Sequence, residues 1–301
     1  MRLVVTTSRK PTADTTEQCA EWAARLGVPF VPRAEKSLGE LVQEHDAEAA
    51  LVIGGREPRF VRPGDGLEYF FHPNMAKIRL HNIAAGRGDP MLTAMALQPG
   101  EAVLDCTLGR GSDAIVAAHA LGDDGRVVGL EIVPIIAELT RHGLRHYESG
   151  IAHLDAPMRR IEVHCADHRS YLAECESNAF DVVYFDPVFT WPIAKSQAMI
   201  PLRALADKST VTADTVAQAR RVARRRVVIK NVVGSPLWQE LGIGHLVKGS
   251  GSRIEYGVVE AEGYRQHEHR LASPELFDSG SRPLAGRDKP WHTGTCKRAR
   301  L

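Results

Sequence analysis

The sequence has almost no charge of one sign to spare: 38 Lys and Arg face 37 Asp and Glu, a formal net charge of +1 at pH 7. No global field draws such a chain onto a polyanion or a membrane surface, so an anionic partner has to be held by local patches. Cysteine is sparse and unpaired. The five residues Cys19, Cys106, Cys165, Cys175 and Cys296 show no CxxC pair and no regular spacing, which argues against a disulfide framework or a zinc knuckle and for reduced thiols in the cytoplasm. No metal is expected. Long apolar runs are also lacking. The start MRLVVTTSRKPT turns polar after three apolar residues, and nothing approaches the roughly 20 needed to span a membrane. A soluble, cytoplasmic protein is expected.

What is present is an ordinary globular composition over 301 residues, enough for two domains. Residues 1–71 read as a small α/β unit. LVVTT is a strand, and the segment from Thr12 to Leu26 is a helix with Asp14 and Glu17 at capping-box spacing and Gly27 as its stop. VPFV is a second strand, Ser37 and Glu40 repeat the capping spacing, AALVIGG is a third strand, and RPGDG turns a hairpin into LEYFF. Two helices broken at GRGDP are expected between His72 and Leu97.

Strands and helices then alternate: EAVLDC, a helix over Ser112 to Leu121, RVVGLE, a helix from Pro134 to about His146, RIEVHCAD, FDVVYFD, a helix over Asp214 to Arg225, and RVVIK. Short continuous apolar strands between helices predict a parallel sheet covered on both faces. Residues 263–301 carry Gly, Pro, Ser and charge without periodicity, as a flexible basic tail does.

The stretch VLDCTLGRGSDA puts Gly109 and Gly111 between a strand and a helix, where glycine lets a ligand approach the backbone and the helix amides. With Ala114 it satisfies GxGxxA, and Glu131 follows at dinucleotide spacing, so an NAD enzyme has to be weighed. Asp105 and Asp113 flank the loop, however, where two phosphate charges would lie. Like charges at 4 to 6 Å cost on the order of a kcal/mol each. The ammonium and sulfonium of S-adenosyl-L-methionine suit those acids better. Asp167 and Asp186 close the next two strands, so four acids stand along the strand-end rim where open α/β sheets bind ligands.

At these residues the chain resembles a known family. LDCTLGRGSDAIVAA, LEIVPIIAELTRHGL, VVYFDPVF, SQAMIPLRAL and RRVARRRVVIKN, in this order, resemble the class I S-adenosylmethionine-dependent methyltransferases. Within them the match is to the RsmJ type, which methylates the exocyclic N2 of a guanosine in small-subunit ribosomal RNA. The resemblance covers about residues 72–262, and the first 71 look like an uncharacterised branch with an extra unit. It implies a Rossmann-like sheet, a ribosomal RNA partner, and donor contacts from Ser112 and Asp113, Glu131 and Ile132, Asp167 and His168, and Asp186.

FDPVF resembles the DPPY-like tetrapeptide of amino-methyltransferases, with Val188 in place of the second proline. An exocyclic amine is a poor nucleophile because its lone pair is delocalised into the ring. Hydrogen bonds from its N–H groups to the Asp186 carboxylate and the Pro187 carbonyl would free that lone pair, and Phe189 could stack on the base for roughly 1 to 3 kcal/mol. Trp191 is a lid or a packing residue. Phosphate contacts are expected from Arg220, Arg221, Arg224, Arg225, Arg226 and Lys230 on and after a helix, from Arg56, Arg59, Arg62, Lys77 and Arg79, and from the tail arginines and lysines Arg282, Arg287, Lys289, Lys297, Arg298 and Arg300. His267, His269, His292 and Cys296 have no metal-site spacing. Other amine acceptors, in nucleic acid or protein, and a non-catalytic RNA-binding module remain alternatives.

Overall fold

Buried apolar strands of both units organise the chain into two sheets. The computed structural model describes residues 1–55, 57–187, 205 and 211–263. The readings of Val188, Phe189, Trp191, Arg56, the tail beyond Gly263 and most of SQAMIPLRAL lie outside them.

In the N-terminal unit β1 (Leu3–Thr7) and β2 (Ala49–Ile53) pair in parallel, and β3 (Arg59–Arg62) and β4 (Leu67–Tyr69) extend the sheet antiparallel in the order β1-β2-β3-β4. Every residue of β1 and β2 is buried, which is why LVVTT and AALVI are continuous rather than alternating runs. VPFV contributes a single bridge, Phe30 to Val5, instead of a strand. Helix α1 (Ala13–Leu26) starts at Thr12, whose side chain accepts from the Thr15 amide in a reciprocal box. Thr12 and Thr15, not Asp14 and Glu17, therefore form the cap, and Asp14 becomes the first-turn acid that favours the helix dipole. Gly27 ends α1 at φ 65°, and α2 (Leu38–Glu44) carries the Ser37–Glu40 box as expected.

The second unit begins with α3 (Asn74–Ala84) and α4 (Pro90–Met95). It continues through β5 (Ala102–Asp105), α5 (Ser112–Leu121), β6 (Arg126–Glu131), α6 (Pro134–His146), α7 (Ala152–Arg159), β7 (Ile161–Cys165), α8 (His168–Glu174) and β8 (Phe180–Phe185). Then come α9 (Ala213–Val222), β9 (Ala223–Val232), α10 (Leu237–Glu240), β10 (His245–Lys248) and β11 (Ile254–Glu260). The sheet order is β7-β6-β5-β8-β9-β11-β10; the first five strands run parallel, and β11 is antiparallel to both its neighbours. The sheet is thus mixed at one edge, where a wholly parallel one was expected.

Two departures have a physical cause. The helix expected to reach Arg225 stops at Val222, because Ala223 pairs with Phe180 and the ladder to β8 and β11 takes up Arg226. The β10–β11 pair was missed because Gly257 interrupts the apolar run of IEYGVVE. A Cβ there would stand 2.7 Å from the Trp238 ring, so the glycine makes room for that indole.

Apolar clusters fill both faces of the large sheet, and a third joins Val5, Trp22, Phe60 and Tyr69 to Ile135, Ile136 and Leu139 of α6. The N-terminal unit thereby rests on α6. At its edge Gly143 admits Phe71, since a Cβ on Gly143 would lie 2.0 Å from Phe71 Cγ, and Phe71 is buried. Gly143→Ala is expected to cost about 1 to 3 kcal/mol through overpacking, read as a lower urea midpoint at unchanged m-value.

Candidate active site

The five parallel strands end on one rim, and the chain order reverses between β5 and β8, with β6 and β7 on one side and β9 on the other. A crevice opens at such a reversal, at the strand carboxyl ends. Asp105, the last residue of β5, pairs with Tyr184 of the neighbouring β8, and Asp186 follows two residues further on, just past the strand end. Sequence-distant acids thus become neighbours.

The loop between β5 and α5 is held by polar contacts on every side. Leu108 N–H donates to the Leu130 carbonyl (2.8 Å), and the Glu131 carboxylate accepts from Gly109 N–H (3.1 Å) and Val133 N–H (2.9 Å). The Thr140 hydroxyl donates to the Gly109 carbonyl at 2.6 Å. Gly109 and Gly111 sit at φ 52° and 73°, a conformation that opens α5 and that side-chain-bearing residues rarely adopt. Gly129 in β6 makes room for Leu108, because a Cβ there would fall 2.5 Å from its methyl group. Thr107 clips the two strand ends together: its hydroxyl accepts from Asp186 N–H at 2.6 Å, while its own N–H donates to Asp105 Oδ1 at 3.0 Å.

Beneath the loop runs a chain of alternating charge. Arg79 on α3 forks onto Asp89 (2.7 and 2.8 Å) and also donates to Asp113 Oδ1. Asp113 Oδ2 accepts from Tyr184 OH (2.8 Å) and from Lys230 Nζ (2.9 Å), and Lys230 reaches on to Asp186 Oδ2 at 2.8 Å. Burial opposes ionisation of Asp113, but Lys230 and Arg79 outweigh it and hold the carboxyl well below its ordinary range. Burial raises Asp186, and Lys230 offsets part of that rise. Burial also pushes Asp105 up to about 8, against the Thr107 hydrogen bond and with help from the charges of Asp113 and Asp186.

These values correct the electrostatic contrast drawn from sequence. Asp105 is largely neutral near pH 7, and Asp113 is matched by two cations, so the loop is not flanked by two bare charges. Asp167 is a helix cap: it accepts from Arg169 N–H (2.8 Å) and is forked by the Arg169 guanidinium (2.6 to 3.1 Å). An adenine edge would share that carboxylate with Arg169. His168 is buried edge-on to Phe185, while Ser112 begins α5 and Ile132 follows β6, both at the rim.

The structure also redistributes the basic patch. Arg220 donates to the Glu260 carbonyl, Arg221 to those of Cys175 and Leu172, Arg224 to Asp181, Arg225 to Glu101 and Arg226 to the Ala94 carbonyl. Arg224 to Arg226 lie at the start of β9, the opposite end of the sheet from the site, so these side chains brace the fold and do not line the strand-end crevice. Lys230 and Arg79, read as phosphate contacts, belong to the buried charge chain. Arg62 is engaged by Asp65 at 2.6 Å. Thr107, Thr140, Tyr184 and Asp89 went unnoticed in sequence; only Lys230, a lone cation ending the apolar run VVIK, carried a visible signal.

With this geometry in hand, comparison with known proteins is decisive. Residues 66–254 match the family model described as putative SAM-dependent methyltransferase. The chain is a SAM-dependent methyltransferase related to the RsmJ type. The methyltransferase is 30% identical over 258 residues to ribosomal RNA small subunit methyltransferase J of Halorhodospira halophila, spanning 81% of this chain and 90% of that one. It is 37% identical over 257 residues to the uncharacterised protein YpiP of Bacillus subtilis, spanning 85% and 99%. A SAM-dependent methyltransferase from Neisseria gonorrhoeae shares the fold at TM-score 0.58 and 17% identity, covering 89% of this chain and all of that one.

The cofactor is S-adenosylmethionine, and the residues suit it. Gly109 and Gly111 turn the backbone at positive φ between β5 and α5, and Glu131, a carboxylate at the end of β6, is the type of acceptor that a ribose diol would need. Among the described residues no group of acids, histidines and cysteines is arranged for a metal, and no helix is long and apolar enough to cross a membrane.

Two measurements follow. The folded methyltransferase binds the Asp105 proton more tightly than the unfolded chain, so this residue's contribution to stability falls as pH rises from the ordinary carboxyl value of 3.8 to about 8. Asp105→Asn should flatten that decline, seen as a smaller loss of urea midpoint between pH 5 and pH 9 than in the parent. Lys230→Met leaves Asp113 and Asp186 facing each other and should cost about 3 to 5 kcal/mol in the same unfolding measurement at pH 7.

Proposed function

We propose that the methyltransferase transfers a methyl group to the exocyclic N2 amine of a guanosine in small-subunit ribosomal RNA. The observation that carries this reading is the pinned Asp-Pro turn. Asp186 is tied by its backbone to Thr107 and by its side chain to Lys230, beside the glycine loop that this reading assigns to the methyl donor. Relatives of similar length that bear the name ribosomal RNA small subunit methyltransferase J support the substrate class.

When bound, S-adenosylmethionine supplies an electrophilic methyl group on a sulfonium. Glu131 and the 109–111 loop hold its ribose and amino-acid portions, with Asp105, Ser112, Asp113, Ile132, Asp167 and His168 around them. Lys230 favours the ionised form of Asp186, which accepts a hydrogen bond from the amine and turns its lone pair toward the donor. The Pro187 carbonyl accepts from the second N–H. Pro187 also stops the chain from continuing the β-ladder, so that carbonyl need not be spent on a neighbouring strand. Phe189 is assigned to stack on the base. Orientation of this kind supplies about 7 to 11 kcal/mol in favourable cases. The base has to be single-stranded or flipped to reach the rim.

Asp186→Ala is expected to lower methyl transfer by at least about 100-fold, the usual scale for removing one preorganised hydrogen-bonding group from a reacting centre, while calorimetry shows S-adenosylmethionine binding within a few-fold of the parent. Full activity in that variant would refute the assigned role. Nucleoside mapping of 16S ribosomal RNA from cells with and without the gene should reveal one N2-methylguanosine that depends on it. A lost methyl on another base would redirect the acceptor.

A further inference from the structure

The arginines of β9 are engaged by carbonyls and carboxylates at the end of the sheet away from the site, and the N-terminal unit presents a further set of cations. β1 and β2 run parallel and end together, with Ser8 N–H donating to the Ile53 carbonyl at 2.7 Å. The segment through Phe30 runs parallel along the free side of β1, with Val31 N–H on the Val5 carbonyl at 2.8 Å, so Arg33 emerges at the same edge. β3 runs the opposite way and begins there, with Arg59 opposite Val52. Arg9, Lys10, Arg33 and Arg59 therefore leave one rim of one sheet, beside the N-terminus of the 14-residue helix α1.

Among the described residues none of these four cations has an ion-pair partner, although Arg33 Nε donates to the Lys36 carbonyl at 3.2 Å, whereas nearby Lys36 and Arg62 are taken by Glu44 and Asp65. Glu35, Glu57 and Asp14 are the acids on the same segments. Arg9, Lys10 and Arg59 are exposed. Burial first, then the like charges of Arg9 and Arg59, lower the Arg33 guanidinium from its ordinary value, so Arg33 lies near enough to both for repulsion to be felt. Gathered cations without counter-charges are relieved by an anion that spans them.

The rim leads to the chemistry. β4 returns to the same edge as β2, and its last residue, Tyr69, lies under the Arg110 guanidinium of the donor loop, 4.9 Å from the ring centre. Leu205, beyond the Asp-Pro turn, packs on the cluster that joins the N-terminal unit to α6. Four strands at about 4.8 Å spacing set β1 roughly 14 Å from β4, comparable with the rise of about four nucleotides in one strand. The cations stand along an exposed edge, in the manner of a track for a chain of phosphates.

We propose that Arg9, Lys10, Arg33 and Arg59 bind the phosphodiester backbone of the RNA substrate and lead it across the N-terminal unit to the donor loop. This rests on the reading that the substrate is RNA, and the experiment separates the two. The probe is deproteinised 16S ribosomal RNA from cells lacking the gene. Its binding is measured by filter retention across a salt series, and its methylation with labelled S-adenosylmethionine, for the full-length protein and for Arg9→Gln/Arg33→Gln/Arg59→Gln.

The triple variant should lower the slope of log K against log salt by about 2 to 3, given 0.7 to 0.9 per phosphate contact. It should also raise KM for RNA at least tenfold, with kcat and calorimetric donor affinity unchanged. The Lys triple variant at the same positions should keep the parental slope. If the Gln triple variant does not fold, Arg9→Gln and Arg59→Gln, both exposed, are measured singly, each with a slope change of about 0.7 to 0.9. Unchanged slope and KM in a variant, with the parent binding and methylating RNA, overturns the rim assignment alone. A parent that neither binds nor methylates RNA overturns both readings.

Discussion

The contact on which the site depends is the buried carboxylate of Asp113, shared by Arg79, Tyr184 and Lys230. It stands at the start of α5, yet its partners come from α3, β8 and β9. One side chain therefore ties the helix that opens the second unit to the strands on the far side of the sheet's reversal point. An isolated buried carboxylate would be neutralised by protonation; two cations keep this one charged, and the charge in turn keeps Lys230 in reach of Asp186. The Asp-Pro turn is held from below by this chain and from the side by Thr107. Its geometry is a property of the sheet rather than of the turn.

The site assigns its charges unequally. Asp105, deepest and without a cation of its own, is largely protonated near neutrality, while Asp113 is ionised and Asp186 lies between, drawn up by burial and down by Lys230. Three carboxylates crowded at one strand reversal cannot all carry charge cheaply. The fold neutralises one with a proton and two with cations. This leaves Asp186 at the edge of the network, the member with a side chain partly open to the crevice.

Much of the architecture was legible along the chain. Strand β6 and helices α5 and α6 have the boundaries read from glycine and proline punctuation and apolar runs, since those signals are local. Elements whose pattern is broken by a packing need were not. Gly257 hides β11 because Trp238 fills its place, Pro157 stands inside α7, and β9 begins inside what reads as an arginine-rich helix because two neighbouring strands claim it. The capping box of α1 moved to Thr12 and Thr15, a slip of register that spacing alone does not decide.

By itself the sequence determined the chemistry on offer: a glycine loop after one strand, acids at four strand ends and an Asp-Pro stop, together enough to indicate a methyl donor and an amine acceptor. It did not determine which charges are free. Arg79, Lys230 and Arg220 to Arg226 are indistinguishable in one dimension from solvated, phosphate-seeking cations. Folding commits them to carboxylates and carbonyls of the same chain, while Arg59, read beforehand as a phosphate contact, is joined at one rim by Arg9 and Arg33, which carried no signal along the chain. The reason is that hydrogen bonds and ion pairs act over a few ångströms between groups that only the strand order makes neighbours. Tertiary structure alone decided which basic residues hold the protein together and which face outward.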